Sequence, residues 1–165
     1  SDDTVAGGTG ADAIGGGLGR DVIDAGDGDD SVGGGEGDDV IAGGEGHDFL
    51  AGGGRDDSID GGDGDDRING GEGDDTLTGG EGADEFVYNF FQDVGDDVIT
   101  DFEDGVDSFV MRGVENAPGS GLEGYIDALN ITDTAQGVLM NHQGHSILLE
   151  GVAAAELGLE DFTFL

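Results

Sequence analysis

Cysteine is absent from this sequence, so no disulfide framework staples its fold, and an oxidising environment is permitted without being implied. Tryptophan is absent too, and a single proline set against 38 glycines excludes both a collagen-like triplet array and a proline-rich linker. No apolar run approaches the roughly 18 residues of a membrane span, and the first residues lack the basic and apolar regions of a signal peptide. Any export must use a signal elsewhere. Basic residues are scarce, with 4 Lys plus Arg against 40 Asp plus Glu and a formal net charge of -36. Nucleic acid and anionic membrane surfaces are poor partners for this chain, since phosphate and anionic lipid both need a cationic face, and without an apolar run no membrane insertion is expected. Multivalent cations are the natural partner. By composition alone such a chain would be called disordered.

The order of the residues says otherwise. A nine-residue period runs without insertion from Gly7 to Val87, in blocks that begin with two small residues and usually carry glycine at the fourth place. The sixth place holds Asp12, Asp21, Asp30, Asp39, Asp48, Asp57, Asp66, Asp75 and Asp84 without exception. The eighth holds Ile14, Ile23, Val32, Ile41, Leu50, Ile59, Ile68, Leu77 and Phe86. Run backwards, the register puts Asp3 and Val5 in the same two places, as the tail of a cut repeat, so the chain is expected to start inside a longer protein. A disordered linker of similar composition would keep no such register.

One large apolar residue in nine builds no core alone, but stacked repeats align these residues into a column. Three residues of strand followed by a six-residue turn reverse the chain, so two repeats make one coil and successive coils pair as parallel strands. The expected fold is all-β: a right-handed parallel β-roll over residues 1–87, followed by a small β-rich cap over residues 88–165. Odd and even repeats fall on opposite edges. The aspartates then form two ranks, one of Asp12, Asp30, Asp48, Asp66 and Asp84, the other of Asp3, Asp21, Asp39, Asp57 and Asp75. Carboxylates stacked at strand spacing repel unless a cation lies between them. A metal-free β-helix would not need aspartate facing aspartate in every coil. The available ligands are all oxygen, which selects a hard ion, and flexible turns with many oxygens suit calcium better than magnesium. Glycine serves the turns, where positive φ and close stacking leave no room for a Cβ.

After Val87 the register is lost and the aromatics Tyr88, Phe90, Phe91, Phe102, Phe109, Tyr125, Phe162 and Phe164 appear. Short strands are expected at Asp97 to Thr100, Ser108 to Met111, Val138 to Asn141 and His145 to Leu149, with a hairpin turn at Asn141 to Gly144. A short helix is expected from Ala153 to Leu157, ended by Gly158.

The nonapeptide blocks resemble the Gly-Gly-x-Gly-x-Asp-x-apolar-x repeat of the hemolysin-type, or repeats-in-toxin (RTX), family of secreted bacterial proteins. The resemblance implies calcium between the turns, bound by the ten sixth-place aspartates and by turn carbonyls. Those carbonyls would be the first-place ones of Gly7, Gly16, Ala25, Gly34, Gly43, Gly61, Gly70 and Gly79. Third-place carbonyls of Thr9, Leu18, Asp27, Glu36, Glu45, Asp63, Glu72 and Glu81 would join them. Roughly seven or eight ions would fill the roll. Two departures stand out, Ala25 for a first-place glycine and Arg55 for a fourth-place one. The stretches Asp84 to Tyr88, Asp97 to Phe102, Gly105 to Asp107 and Ser146 to Val152 are similar to the cap of serralysin-type proteases, with Asp97 and Asp101 as candidates for one more calcium. The tail Asp161 to Leu165 resembles an uncleaved type I secretion signal, and a final core strand is the other reading of it.

An extracellular calcium-binding module that folds on export, with the type I secretion machinery and an upstream domain as partners, is the function these features imply. No catalytic constellation is found: the three histidines, His47, His142 and His145, form no zinc-protease motif, and no nucleophile elbow occurs. The competing readings are an adhesive or structural surface module, or the C-terminal part of a secreted hydrolase or epimerase whose catalytic domain lies elsewhere.

Overall fold

A computed structural model describes residues 1–89, 95–114, 124–125 and 128–165. Nine six-residue strands follow the repeat: β1 (Thr4–Thr9), β2 (Ala13–Leu18), β3 (Val22–Asp27), β4 (Ser31–Glu36), β5 (Val40–Glu45), β6 (Phe49–Gly54), β7 (Ser58–Asp63), β8 (Arg67–Glu72) and β9 (Thr76–Glu81). Each begins at the seventh place of one repeat and ends at the third place of the next. Side chains alternate across a strand, so the eighth-place residue points inward and its neighbours point out. Pairing is parallel and skips one strand, as in Ile23 with Ile41 and Val32 with Leu50. Odd and even strands therefore build two facing sheets, and two repeats make each coil.

The strands are longer than the three residues expected. Pairing continues through the second and third places, Gly26 with Gly44 and Asp27 with Glu45, and skips only the first. Second-place glycine permits this. At Gly44 φ is 116°, and a Cβ there would run into the carbonyl of Gly26 in the coil below. Only the fourth to sixth places remain as a true turn.

Beyond the repeats the two sheets continue without a break. Strand β10 (Glu85–Asn89) extends the even sheet, and β11 (Asp96–Ile99) and β12 (Ser108–Arg112) add one parallel strand to each. The odd sheet ends in β15 (His145–Glu150), β14 (Gly137–His142) and β13 (Thr132–Asp133), where the pairing turns antiparallel. Gln143 and Gly144, with φ of 52° and 97°, form the two-residue hairpin loop, its left-handed geometry matching the strand twist. The even sheet closes on β16 (Phe162–Phe164), parallel to β12. The expected cap strands and hairpin are all present, while Phe90 and Phe91 lie outside the described residues.

The helix expected from Ala153 to Leu157 does not form. That stretch is a turn, closed by the Glu156 N–H donating to the Ala153 carbonyl at 2.9 Å and by the Glu156 carboxylate accepting the Ala153 N–H at 2.7 Å. Five residues cannot offset the cost of helix nucleation, and the helical turn comes later, as a 3-10 turn at Leu159–Asp161. The core is one continuous column. Val5 and Ile14 are half-buried at its open end, the aliphatics from Ile23 to Leu77 are buried, and Phe86, Phe102, Phe109 and Phe162 finish it. Phe109 stacks on Phe102 at 4.8 Å and on Phe162 at 5.4 Å between ring centres.

Candidate metal centres between the coils

From Asp21 to Asp84, each sixth-place aspartate ties two coils together through one carboxylate oxygen. The Asp21 N–H donates to Asp39 Oδ1 and the Asp39 N–H to Asp57 Oδ1, both at 2.8 Å, and Asp3 and Asp57 repeat the pattern toward Asp21 and Asp75. On the opposite edge the same bonds run from Asp12 through Asp30, Asp48 and Asp66 to Asp84. Both expected ranks thus exist, with successive aspartates in each eighteen residues apart along the chain.

The second oxygen is the unusual one. Oδ2 of Asp12, Asp21, Asp30, Asp39, Asp48, Asp57, Asp66 and Asp84 is buried and has no hydrogen-bond partner. A buried carboxylate oxygen left in that state is costly. Except at Asp30, whose turn has Ala25, it faces the first-place glycine of its own turn: a Cβ on Gly34 would strike Asp39 Oδ2 and lie 2.7 Å from the Gly52 carbonyl of the next coil. Glycine therefore keeps open a space into which a carboxylate oxygen of one coil and a carbonyl of the next both point. Carbonyls at the second and fourth places, such as those of Gly26 and Gly28, project toward the coil above. Among the described residues no three His, Asp or Glu side chains converge as a metal group, so backbone oxygens would have to supply most ligands. An all-oxygen set with few carboxylates suits a hard divalent ion, and the residues fit calcium.

Third-place carbonyls are already engaged. Those of Asp27, Glu36, Glu45, Gly54, Asp63 and Glu81 accept the fourth-place N–H of the coil below, at 2.6 to 3.1 Å, leaving one lone pair each. The series is interrupted once, because no such bond joins the Arg55 N–H to Glu72. Arg55 holds φ at 79°, while the fourth-place glycines lie between 99° and 156°. At the other departure, Ala25 is completely buried.

Two parts of the arrangement escaped the sequence reading. The ranks continue past the repeats, since Asp75 N–H donates to Asp97 Oδ1 at 2.9 Å and Asp84 N–H to Asp107 Oδ1 at 3.0 Å. These steps span 22 and 23 residues, so periodicity could not find Asp107. Asp101 stands elsewhere: its carboxylate is exposed and accepts the N–H groups of Gly79 and Gly80, both at 2.9 Å. The second missed feature is a fifth-place ladder of opposite polarity, in which Asp29 accepts the His47 N–H, His47 Nδ1 the Asp65 N–H, and Asp65 the Ala83 N–H. His47 is thereby an exposed part of a structural ladder, and His142 and His145 face each other across the hairpin.

The electrostatics mark the metal-free ranks as frustrated. Burial pushes Asp57 up to about 7; the hydrogen bond from Asp39 opposes this, and the charges of Asp75 and Asp39 add to it. Asp66 is likewise raised to about 7 and Asp84 to about 6, chiefly by burial with neighbouring carboxylates contributing. Burial raises Asp97 to about 7 against hydrogen bonds from Asp75 and Tyr88. Groups raised above their unfolded value bind more protons when folded, so each costs stability as pH rises from about 4 through its folded value. In calcium-free buffer the roll is expected to gain order as pH is lowered from 8 to 5, because protons neutralise the ranks. In calcium the dependence is expected to reverse, with affinity falling on acidification as protons compete. Circular dichroism at graded pH, with and without calcium, measures both; a metal-free chain most ordered at pH 8 would contradict the assignment.

Parallel coils, two carboxylate ranks and gaps lined by oxygen define a parallel β-roll with candidate cation sites between its turns. A family model for the RTX calcium-binding nonapeptide repeat matches residues 1–32, 15–50 and 51–86, and the chain belongs to that family. Repeats of this kind are typical of secreted proteins. No curated protein matches the chain. Among solved structures, the extracellular lipase LipA from Serratia marcescens matches with a TM-score of 0.50 at 20% identity, over 100% of this chain and 40% of the lipase. The AlgE6R3 subunit of the Azotobacter vinelandii mannuronan C5-epimerase matches at a TM-score of 0.35 and 24% identity, over 95% of this chain and 80% of the subunit. The chain thus spans less than half the length of the lipase it resembles.

Proposed function

We propose that this chain is a non-catalytic folding module of a larger secreted protein, unfolded where calcium is scarce and folded when it meets calcium outside the cell. Residues 1–87 form the calcium-binding roll and residues 88–165 its cap. The observation that carries this reading is the row of buried, unpartnered Oδ2 atoms along both edges, which disfavours folding until cations arrive. The sixth-place aspartates, with Asp97 and Asp107 at the end of the ranks, would hold the ions together with first-place carbonyls. Bound calcium supplies positive charge and links adjacent coils. Because the unfolded chain has no assembled site, binding free energy becomes folding free energy. No described helix is long and apolar enough to cross a membrane.

The carboxy-terminal tail serves export in this reading, as the signal for a type I exporter. In the fold Asp161 and Phe162 are buried and Phe164 stacks on Tyr125 at 4.9 Å, so the same residues also close the cap. The test uses cells carrying such an exporter. The intact chain is expected in the medium, protease-resistant with calcium and degraded with chelator, and removing Asp161 to Leu165 is expected to abolish release. Normal release of the truncated chain would place the signal elsewhere. Protease resistance that ignores calcium would overturn the folding role.

A further inference from the structure

The two edges of the roll carry the same aspartate ladder but different outer charges. On the edge of Asp21, Asp39 and Asp57, residues 18–20, 36–38 and 54–56 bear formal charges of +1, -2 and 0. The turns facing them, residues 27–29, 45–47 and 63–65, bear -2, -1 and -2 with His47 neutral. Arg20 and Arg55, two of only 4 basic residues in the chain, supply half of that difference, and Leu18 and Gly54, standing where the other edge has third-place acids, supply the rest. Both line one open cleft of about 430 Å³ that runs over three coils, between Leu18, Glu36 and Asp38. The described ion pair, Arg67 with Glu85, lies elsewhere on an outer strand face, and among the described residues neither Arg20 nor Arg55 has such a partner. Arg55 thus shares this cleft with Glu36, Gly37 and Asp38, the turn of Asp39. Its backbone is in a left-handed conformation that a residue with a Cβ adopts at a cost, and among the described residues its N–H lacks the inter-coil hydrogen bond made by Gly37, Gly46 and Gly64.

Resting on the calcium reading above, we propose that Arg20 and Arg55 are built-in counter-charges for the two gaps bordering Asp39, so that this edge takes up calcium at higher concentrations than the opposite one. A guanidinium beside a carboxylate rank relieves part of its self-repulsion without a metal and repels an incoming divalent ion. Both effects lower the gain from binding there. On the other edge the turns of Asp30, Asp48 and Asp66 contain no arginine, and Arg67, which follows Asp66, is paired with Glu85, so calcium is what relieves the crowding there. Over an intermediate range of calcium, one edge of the roll is filled and the other is not.

Amide resonances of an isotope-labelled intact chain, followed at graded calcium, read the edges separately. Gly35, Gly37 and Gly53 report the arginine edge, and Gly44, Gly46 and Gly62 the other. The arginine edge is expected to respond at roughly fivefold higher calcium, the size of one or two screened unit charges near a divalent ion. In the Arg20→Gly, Arg55→Gly double variant the two sets are expected to converge, and Arg20→Gln alone, which leaves every turn conformation intact, to narrow the interval. Arg67→Gln, outside the cleft, is expected to leave it unchanged. Coincident midpoints in the natural chain would overturn the inference, as would an interval that survives the double variant. A chain indifferent to calcium on both edges would instead bring down the calcium reading, and this inference with it.

Discussion

In excess EDTA the chain is expected to lose nearly all of its β signal, and to regain it cooperatively when calcium is restored. The reason lies in what each coil must offset. Eighteen residues of backbone are ordered, many of them glycines with the largest conformational freedom to lose, and only two large apolar side chains are buried in return. Two aspartates per coil are then desolvated with one oxygen unpartnered. Roughly seven or eight ions would add about 16 positive charges against a formal charge of -36 and fill the oxygen-lined gaps. The cap has a denser aromatic core, so any residual structure in EDTA is expected there, around Phe102, Phe109 and Phe162. Far-ultraviolet circular dichroism through a chelation and re-addition cycle measures the effect. A spectrum unchanged by chelator would refute calcium-driven folding.

Asp48→Ala is expected to raise the calcium midpoint roughly tenfold or more, and Asp63→Ala to leave it within about twofold. Asp48 is buried and borders two gaps; its Oδ1 accepts the Asp30 N–H at 2.8 Å while its own N–H donates to Asp66. Truncation removes a ligand oxygen and strands the buried Asp30 N–H, a penalty of about 1–3 kcal/mol before any loss of metal. Asp63 has an exposed side chain, and it is its carbonyl that accepts the Gly46 N–H at 2.8 Å, which alanine preserves. Calorimetric titration of the two variants separates them. Equal midpoints would refute the division between side-chain and backbone ligands.

Much of this was legible because a nonapeptide period leaves few alternatives. Two repeats per coil, opposite edges for odd and even aspartates and an inward eighth place all follow from the spacing, and the pairing of Ile23 with Ile41 and of Asp21 with Asp39 bears them out. Cap strands were readable from alternation, and the hairpin from Gln143-Gly144. The alanine-rich stretch before Gly158 misled because propensity cannot sustain a helix of five residues while Glu156 offers a side-chain bond to a competing turn. Strand length was underestimated at the second and third places, where glycine both turns and pairs.

What the sequence by itself determined is the roll: a strict register of glycine, aspartate and aliphatic residues admits one way to stack, so period, sheets and carboxylate ranks come together. The tertiary structure alone decided how the ranks end. Asp97 and Asp107 arrive by detours of 22 and 23 residues, and Asp107 is placed because Phe109 stacks under Phe162 and β12 pairs with both β10 and β16. It also decided that Asp101 holds the N–H groups of Gly79 and Gly80, and that Arg55 shares a cleft with the turn of Asp39. Contacts between segments without a common period depend on packing in three dimensions, and no spacing along the chain encodes them.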